Sequence, residues 1–416
     1  MRKLLLFAFL LTCCIFVNAQ TIETSNIELL RSFNEDPRFS SLPYYSYGKG
    51  LGMTSPDSLY NINIRFRMQN RATFINDGDS TMLSAQVRRL RLRFDGFVGS
   101  PKFQYVIQLS FTHGDVNNPD PEGLINIIRD AAILYKPNNK FQLLFGQTKL
   151  PGNRQRLNSS GALELTDRSI NNALFTIDRD FGIQAKTFGN IGEMPYIISG
   201  AISTGEGRGW RRIMKPTELA YTGKLEIYPF GQFKKNGAYF EGDVLREESP
   251  KLMLSGAYSY NKGTNKARGQ LGKPMDERRD ISSTFVDAMF KYNGWGAFAS
   301  FMMRDCNKPI VSGIDSEGNS YFYEVSAGKG ADVQVSYTTK NKWAFIGRYS
   351  YQDLDKELND NSNINLPDQN DYSLGITKYV WEHALKFQGE FTYGNLVFNT
   401  HDVNTWYFRL QVEIGI

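Results

Sequence analysis

Hydrophobic and polar residues alternate with a period of two over most of the chain after residue 58. The sharpest example is the stretch 87–94, which reads V-R-R-L-R-L-R-F. Successive side chains of a strand leave opposite faces, so this pattern predicts a strand with arginines on one face and apolar side chains on the other. A soluble sheet would turn the apolar face to a core. A transmembrane barrel would turn it to lipid and the arginines to a wet lumen.

The same alternation recurs in sixteen segments. The predicted strands are 59–71, 85–98, 103–111, 125–136, 141–149, 181–188, 195–204, 217–228, 251–261, 281–292, 295–304, 331–338, 343–352, 371–379, 384–393 and 405–416. Closed bacterial barrels have an even number of antiparallel strands, and sixteen satisfies this condition. We therefore predict an all-β fold, a transmembrane antiparallel barrel of about 16 strands.

The connections between these strands differ systematically in length. Connections from odd to even strands are long, and most of those from even to odd strands have two to six residues. Outer-membrane barrels show this asymmetry, with short periplasmic turns and longer outer loops. One connection departs from this rule. Residues 229–250 join an even strand to an odd one and should form a short turn, but they number 22. An additional hairpin there would change the strand count.

Aromatic residues and the chain end point the same way. Strands that follow short turns begin with Phe103, Phe141, Trp295 and Trp343, and rings of this kind collect at membrane interfaces. The last predicted strand alternates up to its terminal residue, Ile416, which resembles the signal read by the outer-membrane assembly machinery.

Composition limits the alternatives. Beyond the N-terminus no run of about 18 apolar residues occurs, which excludes a transmembrane helix. We interpret residues 1–19 as a signal peptide, 20–58 as a periplasmic N-terminal segment and 59–416 as the barrel. Removing Arg2 and Lys3 with the signal leaves 46 − 43 = +3 charges, and only Cys306 among the cysteines, so no intramolecular disulfide forms.

The inward faces of the first two strands carry a column of arginines. They are Arg65, Arg67, Arg89, Arg91 and Arg93. Guanidinium stays charged and offers two parallel donors to an oxyanion, so a column in a narrow lumen can pass anions between donors. The alternative is that these arginines face acidic loops, as porin walls often do, without ion preference.

The longest early connection, between Lys149 and Asp180, has the length of a functional loop. Its polar residues include Arg154, Arg156, Ser159, Ser160, Arg168 and Arg179. Folded inward it would narrow the pore, and folded outward it would form a lid.

These features together resemble a known family, the phosphate-selective porins O and P. The resemblance runs from Leu59 to about Lys186 and returns weakly at the last strand. It is carried by the segments 65–69 (R-F-R-M-Q), 87–96 (V-R-R-L-R-L-R-F-D-G), 145–147 (F-G-Q), 159–160 (S-S) and 181–184 (F-G-I-Q), with Arg168. It implies a sixteen-stranded trimeric barrel whose third long loop folds inward and whose arginine ladder leads to a central phosphate site.

The resemblance also implies roles for individual residues. Arg67 matches the first-strand arginine of that site, and Arg88 and Arg89 match its paired arginines. Ser159, Ser160, Arg168 and Arg156 match two loop serines, a loop arginine and a loop lysine. Arg88 and Arg89 cannot both face inward on a regular strand, and a β-bulge would resolve this conflict. The chain departs from the family where a third-strand aspartate is Gln108 and a second loop lysine is Gly161.

Other functions find less support. An enzyme of the outer-membrane lipase type needs a serine–histidine pair, but no motif surrounds His113, His383 or His401, which we interpret as solvated loop residues. Three scattered histidines are a poor metal site. Asp115, Asp120 and Glu122 could bind a loop cation, but an exposed acidic loop is the simpler interpretation. A barrel with a surface or secretion/assembly role remains the alternative.

The sequence therefore predicts a porin of a Gram-negative outer membrane, without catalytic residues or cofactor. It would pass small anions by passive diffusion, with phosphate or polyphosphate as first candidates. The expected partners are these anions, outer-membrane lipid and two further copies of the chain in a homotrimer. A nearly neutral chain with its arginines on one face favours a local anion site over nucleic-acid binding.

Overall fold

The computed structural model describes residues 44–46, 50–115, 126–209, 215, 217–314 and 320–416. The predicted signal peptide and the greater part of the predicted N-terminal segment lie outside the described residues. Among the residues described, none of the helices combines the length and the apolar character needed to span a membrane.

Two short strands, β1 (Tyr44–Ser46) and β2 (Gly50–Thr54), precede sixteen long ones that form a closed antiparallel barrel. The barrel strands are β3 (Tyr60–Asn76), β4 (Thr81–Val98), β5 (Ser100–Ser110), β6 (Ile128–Asn138), β7 (Phe141–Lys149), β8 (Arg179–Ile191), β9 (Met194–Ser203), β10 (Ala220–Ile227), β11 (Lys251–Arg268), β12 (Leu271–Tyr292), β13 (Trp295–Cys306), β16 (Gly328–Thr338), β17 (Trp343–Leu354), β18 (Asp368–Trp381), β19 (Leu385–Val397) and β20 (Asp402–Gly415). Each pairs with its neighbour in the sequence, and β20 pairs with β3 to close the barrel. The predicted fold is confirmed.

The remaining elements lie in the connections. A hairpin between β13 and β16 consists of β14 (Ile310–Ile314) and β15 (Ser320–Glu324). The helices are α1 (Arg154–Leu157), α2 (Ile170–Phe175) and α3 (Lys356–Asn359), with 3₁₀ turns at Ser160–Ala162 and Lys234–Tyr239.

The period-two pattern places side chains as the sequence predicts. On β3 the inward Gln69 is fully buried, whereas the outward Ile64 and Phe66 are 38% and 40% exposed. The same inversion, with polar residues inside and apolar residues outside, holds along most of the other barrel strands, except where inward apolar residues pack against the connections that fold into the barrel. It is stable only where lipid solvates the outer face, because water would leave this apolar belt unfavourably exposed. Rings at the strand starts, including Phe103 and Trp295, are exposed on the outer face.

Three of the predicted long connections are shorter than the sequence indicates. Residues 72–84 were expected to form a loop, but β3 and β4 continue until only 77–80 connect them. Likewise β11 and β12 leave only 269–270, and β19 and β20 leave 398–401. The strands extend beyond the part where alternation is strict, because backbone pairing continues after the outer face no longer has to be apolar. We call the end of the barrel with the odd-to-even connections the long-loop end, and the opposite end the short-turn end.

The exceptional connection at the short-turn end contains no extra hairpin. Residues 228–250, which we call the turn segment, include one 3₁₀ turn and fold into the barrel. Tyr228, Phe233 and Ala238 pack against inward residues of neighbouring strands, among them Met253 and Met289. The count of sixteen barrel strands therefore stands.

The N-terminal strands lie beside the seam where the barrel closes. β20 pairs with residues 67–76 of β3, and β2 pairs with residues 61–64 of the same strand. β1 in turn pairs with β2. Part of the predicted N-terminal segment thus continues the sheet next to the first barrel strand.

Candidate functional site

The third long connection, residues 150–178, folds into the lumen, and we call it the inner loop. Its start and end are held by apolar contacts of Leu150, Phe175 and Ile177 with Phe285 and Met302 on the barrel wall. In its middle, the backbone oxygen of Glu164 accepts a hydrogen bond from Thr377 Oγ1 at 2.7 Å. The inward-folding third loop is therefore confirmed.

Two serines begin the helical turns of the inner loop. The Ser169 hydroxyl accepts a hydrogen bond from Asn172 N at the start of α2, and the Ser159 hydroxyl accepts one from Gly161 N at 3.3 Å. Serine favours such positions because its side chain replaces a missing backbone acceptor. These caps hold the intervening residues, including Asp167, in a fixed position.

Asp167 is the centre of the site. Its carboxylate forms ion pairs with Arg71, Arg88 and Arg89 at 3.1, 3.0 and 2.8 Å. Burial alone would raise the pKa of Asp167, but Arg89, Arg88 and Arg71 together hold this pKa well below its ordinary value. The carboxylate is thus ionised and joins the inner loop to two adjacent strands.

A β-bulge in β4 makes this arrangement possible. Gln69 of β3 is paired with Arg89, whereas the next residue, Asn70, is paired with Val87, so Arg88 is the extra residue. The local bend turns both arginines toward the lumen. The predicted conflict between Arg88 and Arg89 is resolved by a bulge at the predicted place.

A second carboxylate, Asp115, holds the next arginine of the column. It pairs with Arg91 and, at 3.2 Å, with Arg129 of β6, and it accepts a hydrogen bond from Ser110 Oγ at 2.9 Å. Asp115 is buried, so its interpretation as part of an exposed acidic loop is wrong. Asp120 and Glu122 lie outside the described residues.

The remaining arginines of the column continue toward the short-turn end. Arg65 and Arg93 share the carboxylate of Asp95. Arg67 lies 3.9 Å from Glu413, which also pairs with Lys386 at 3.4 Å.

The two loop serines contact these arginines directly. Arg67 Nη1 donates to Ser159 Oγ at 2.7 Å, and Arg91 Nη1 donates to Ser160 Oγ at 2.9 Å.

The two loop cations that the sequence predicts have different surroundings. Arg156 pairs with Asp178, to which its Nε donates at 2.8 Å. Arg168 donates to the backbone oxygens of Gln155 and Asn158, at 2.7 and 2.8 Å. Burial, with Arg156 and Arg89 nearby, lowers the pKa of Arg168 to about 9, so it stays protonated at neutral pH.

Charge on this side of the lumen is unbalanced. We call the following nine cationic groups the arginine wall: Arg65, Arg67, Arg71, Arg88, Arg89, Arg91, Arg93, Arg129 and Lys386. Among the described residues, their ion-pair partners are four carboxylates, those of Asp95, Asp115, Asp167 and Glu413. The difference, 9 − 4 = +5, is a local positive charge on partly or fully buried side chains, which solvent and salt screen less than charges on an open surface.

Two cavities adjoin the wall. One, of about 670 Å³, is lined by Asp167, Arg168 and most of the arginine wall. The other, of about 740 Å³, opens toward the short-turn end beside the turn segment. The residues that line both are Arg67, Arg91, Arg93, Gln108 and Ser159. These side chains therefore stand between the two cavities, where any solute moving through would meet them.

Gly161 explains one departure from the family pattern. A Cβ atom at this position would lie 2.4 Å from Arg67 Nη1 and 2.6 Å from Glu413 Oε1. The space a loop side chain would need is already occupied by the Arg67 guanidinium and the carboxylate that faces it. Gln108 replaces the aspartate on the third strand, and it is buried opposite Arg93.

Sequence reasoning found the arginine column but missed its partners. Asp167, Arg71 and Arg129 were not singled out, because the residues they contact are distant in the sequence or lie on another strand. The alternation on β3 could have revealed Arg71, which follows Arg65 and Arg67 at even spacing.

The three histidines lie in different surroundings. His113 and His401 are exposed loop residues, as predicted. His383 is instead partly buried, with its ring 5.1 Å from those of Phe240 and Tyr379. Within the described ranges, no three histidine, cysteine, aspartate or glutamate residues are grouped closely enough to hold a metal ion.

Comparisons with known proteins agree with this geometry. A family model described as phosphate-selective porin O and P matches residues 60–389. The outer membrane channel DcaP of Acinetobacter baumannii has a similar fold, with a TM-score of 0.54 and 17% identity over 88% of this chain and 99% of that one. Salmonella typhi OmpF gives a TM-score of 0.53 and 12% identity, covering 86% and 98%. No curated protein sequence matches significantly.

Proposed function

The chain belongs to the phosphate-selective porin O and P family, and on that premise we propose that it passes small anions by passive diffusion along the arginine wall. The family and the porin-like fold make it a channel of the Gram-negative outer membrane. In such barrels the short turns face the periplasm and the longer loops face outward. The two cavities would then be an outer and a periplasmic vestibule.

One observation carries the proposal: nine cations share four carboxylates along the arginine wall, which both cavities adjoin. The excess charge attracts anions and repels cations. Each arginine also keeps a protein partner, so an entering anion competes for donors and does not find them all vacant. Such partial, repeated binding favours release as well as entry.

Phosphate is the first candidate among these anions. Guanidinium groups match its geometry with paired donors, and the hydroxyls of Ser159 and Ser160 can add hydrogen bonds beside Arg67 and Arg91. Arg168 extends the same surface into the cavity of about 670 Å³ that most of the arginine wall lines. Gln108 in place of an aspartate leaves Arg93 without that additional negative neighbour, which favours anions in general.

The purified protein in planar lipid bilayers tests both levels of the proposal. We expect the reversal potential in a potassium chloride gradient to show preference for chloride, and phosphate at millimolar or lower concentration to reduce chloride current. Chloride preference without a phosphate effect would restrict the proposal to general anion passage. A barrel that inserts but conducts no ions would favour the surface or assembly role.

Assembly into a homotrimer follows from the family resemblance and is part of the proposal. We expect unheated protein to migrate as a trimer band on a denaturing gel and to convert to monomer on heating. Monomeric migration in mild detergent at all temperatures would contradict it.

A further inference from the structure

The periplasmic vestibule has two chemically different sides. One side carries Arg65, Arg67 and Arg93 of the arginine wall. The other is formed by aromatic rings, chiefly Phe188 of β8 with Tyr239 and Phe240 of the turn segment. A passage for small hydrated ions alone has no need of ring surfaces, because apolar groups offer an inorganic anion nothing in exchange for its hydration.

The rings that line the vestibule differ in how much of their surface is exposed. Tyr228 and Phe233 are almost fully buried, and their rings pack edge to face at 6.3 Å. Phe188, Tyr239 and Phe240 are only partly buried, so they present ring surface to the cavity. We call these three residues the ring shelf.

The ring shelf is held rigidly by polar contacts behind it. Lys291 Nζ donates to the backbone oxygens of Gly237 and Phe240, both at 2.9 Å. Glu241 N donates to the backbone oxygen of Ala162 at 2.8 Å and so connects the turn segment to the inner loop. The Arg154 guanidinium lies 4.6 Å from the centre of the Tyr239 ring, on which it stacks. A ligand would therefore meet a preformed surface and would not have to order it.

The size of the vestibule fits the same chemistry. Its volume of about 740 Å³ lies within the range of roughly 300–1,000 Å³ typical of sites for small organic ligands. Such sites combine apolar and aromatic walls with a few placed polar groups, as this one does.

We propose that the periplasmic vestibule binds organic anions that carry a planar ring, with the acidic group on the arginines and the ring against the ring shelf. This inference rests on the proposed function, because it names a substrate class for the same channel. The acidic group takes donors from Arg65, Arg67 and Arg93. The ring gains apolar and stacking contact that a compact anion cannot make.

Block of chloride current by benzenesulfonate and methanesulfonate in planar bilayers tests the inference. The two anions carry the same charge and acidic group and differ in the ring. We expect benzenesulfonate, added on the periplasmic side, to reach half-maximal block at a concentration at least about tenfold lower, which corresponds to about 1.4 kcal/mol. Equal potency of the two anions in a channel that prefers chloride would overturn the inference and leave the proposed function intact.

Variants locate the effect. The double change Tyr239→Ala with Phe240→Ala should bring the potency ratio of the two sulfonates close to one. Phe230→Ala is the matched control, because Phe230 belongs to the same segment but is exposed away from the cavity, and it should keep the wild-type ratio. Tyr239→Phe should also keep it, since the ring remains.

An unchanged ratio in the double variant would refute the ring shelf. A wild-type reversal potential without anion preference would instead refute the proposed function, so the two failures are distinguishable.

Discussion

The inner loop contacts two sets of charged residues on the barrel, and the two sets differ in their balance of positive and negative charge. Toward the arginine wall, nine cations meet four carboxylates, three of which lie on the barrel or on the connection between β5 and β6, and one on the loop. Elsewhere, the loop contacts four barrel carboxylates that we call the acidic wall: Glu226, Asp287, Asp332 and Glu390. Their ion-pair partners in the described chain are three cations, Arg154, Lys224 and Arg348.

The difference distinguishes contacts that anchor the loop from the surface proposed to guide anions. Carboxylates of the acidic wall accept hydrogen bonds from the loop itself, such as Arg154 N to Asp287 at 2.8 Å and Thr166 N to Glu390 at 2.8 Å. These bonds satisfy buried loop donors and leave almost no net charge, 3 − 4 = −1. The arginine wall keeps +5 and adjoins both cavities. The loop is thus anchored by its contacts with the acidic wall, whereas the arginine wall keeps an excess of positive charge.

The comparison predicts its largest effect for neutralisation of the arginine wall. Replacing Arg67, Arg88 and Arg89 together by glutamine lowers the local charge from +5 to +2. We expect the anion-over-cation permeability ratio, from reversal potentials in bilayers, to fall by roughly tenfold. Glutamine at the exposed positions Lys102, Lys140 and Lys262 removes the same total charge and should leave the ratio almost unchanged. Equal ratios for both triple variants would show that the column does not set selectivity.

A smaller effect is expected from replacing one carboxylate by an amide at the arginine wall and, separately, one at the acidic wall. Asp167→Asn releases three arginines from a shared partner and raises the local charge to +6, so the permeability ratio should rise by about twofold. Asp332→Asn is the matched change on the acidic wall, and Asp332 lines neither cavity.

Asp332→Asn should leave the permeability ratio unchanged. It should lower the free energy of unfolding by about 1–3 kcal/mol, because one of the two carboxylate oxygens that accept hydrogen bonds from Ser169 and Asn171 becomes an amide NH2 group, which cannot accept. Denaturant titration of folded barrels in detergent measures this cost. A change of the permeability ratio in Asp332→Asn as large as that in Asp167→Asn would show that the arginine wall and the acidic wall do not differ in their effect on selectivity.

The smallest effect concerns pH and the contact between the inner loop and the turn segment. Burial and the nearby Glu241 carboxylate raise the pKa of Glu164 to about 7, with Lys291 acting against this shift. Because the folded protein holds this proton more tightly than the unfolded chain, the contribution to stability is complete below pH 4.5. It is lost as pH rises through about 7.

Thermal unfolding in detergent should therefore show a midpoint lower by a few degrees at pH 8 than at pH 5. Glu164→Gln should reduce that difference, because the neutral amide cannot gain a charge beside Glu241. A variant with the full wild-type pH dependence would assign the titration to another group.

The barrel could be predicted from the sequence because its signal repeats. Alternation fixes which residues face inward, and sixteen repetitions make the pattern robust against local exceptions. The prediction of loop lengths failed at residues 72–84, since strands continue where strict alternation ends. The turn segment could not be interpreted, because its apolar residues pack inside the lumen, where no period is imposed on them.

The site was predictable in composition and not in connectivity. Parity predicts Arg65, Arg67, Arg89, Arg91 and Arg93 on the inward face. The bulge follows only when parity is combined with the family resemblance, which assigns both Arg88 and Arg89 to the site. Asp167 could not be assigned, because it lies 78 residues or more from the arginines that it holds and no local pattern marks it. Tertiary contact alone gives that carboxylate its role.

The placement of β2 has a further consequence for the sheet as a whole. β20 pairs with residues 67–76 of β3 and does not extend to residues 61–64. Without β2, the backbone amide and carbonyl groups of residues 61–64 on this edge would have no strand to pair with. An unpaired strand edge can pair with a strand of another molecule and so begin aggregation. Because β2 (Gly50–Thr54) pairs with this edge, the edge is not available to a strand of a neighbouring molecule.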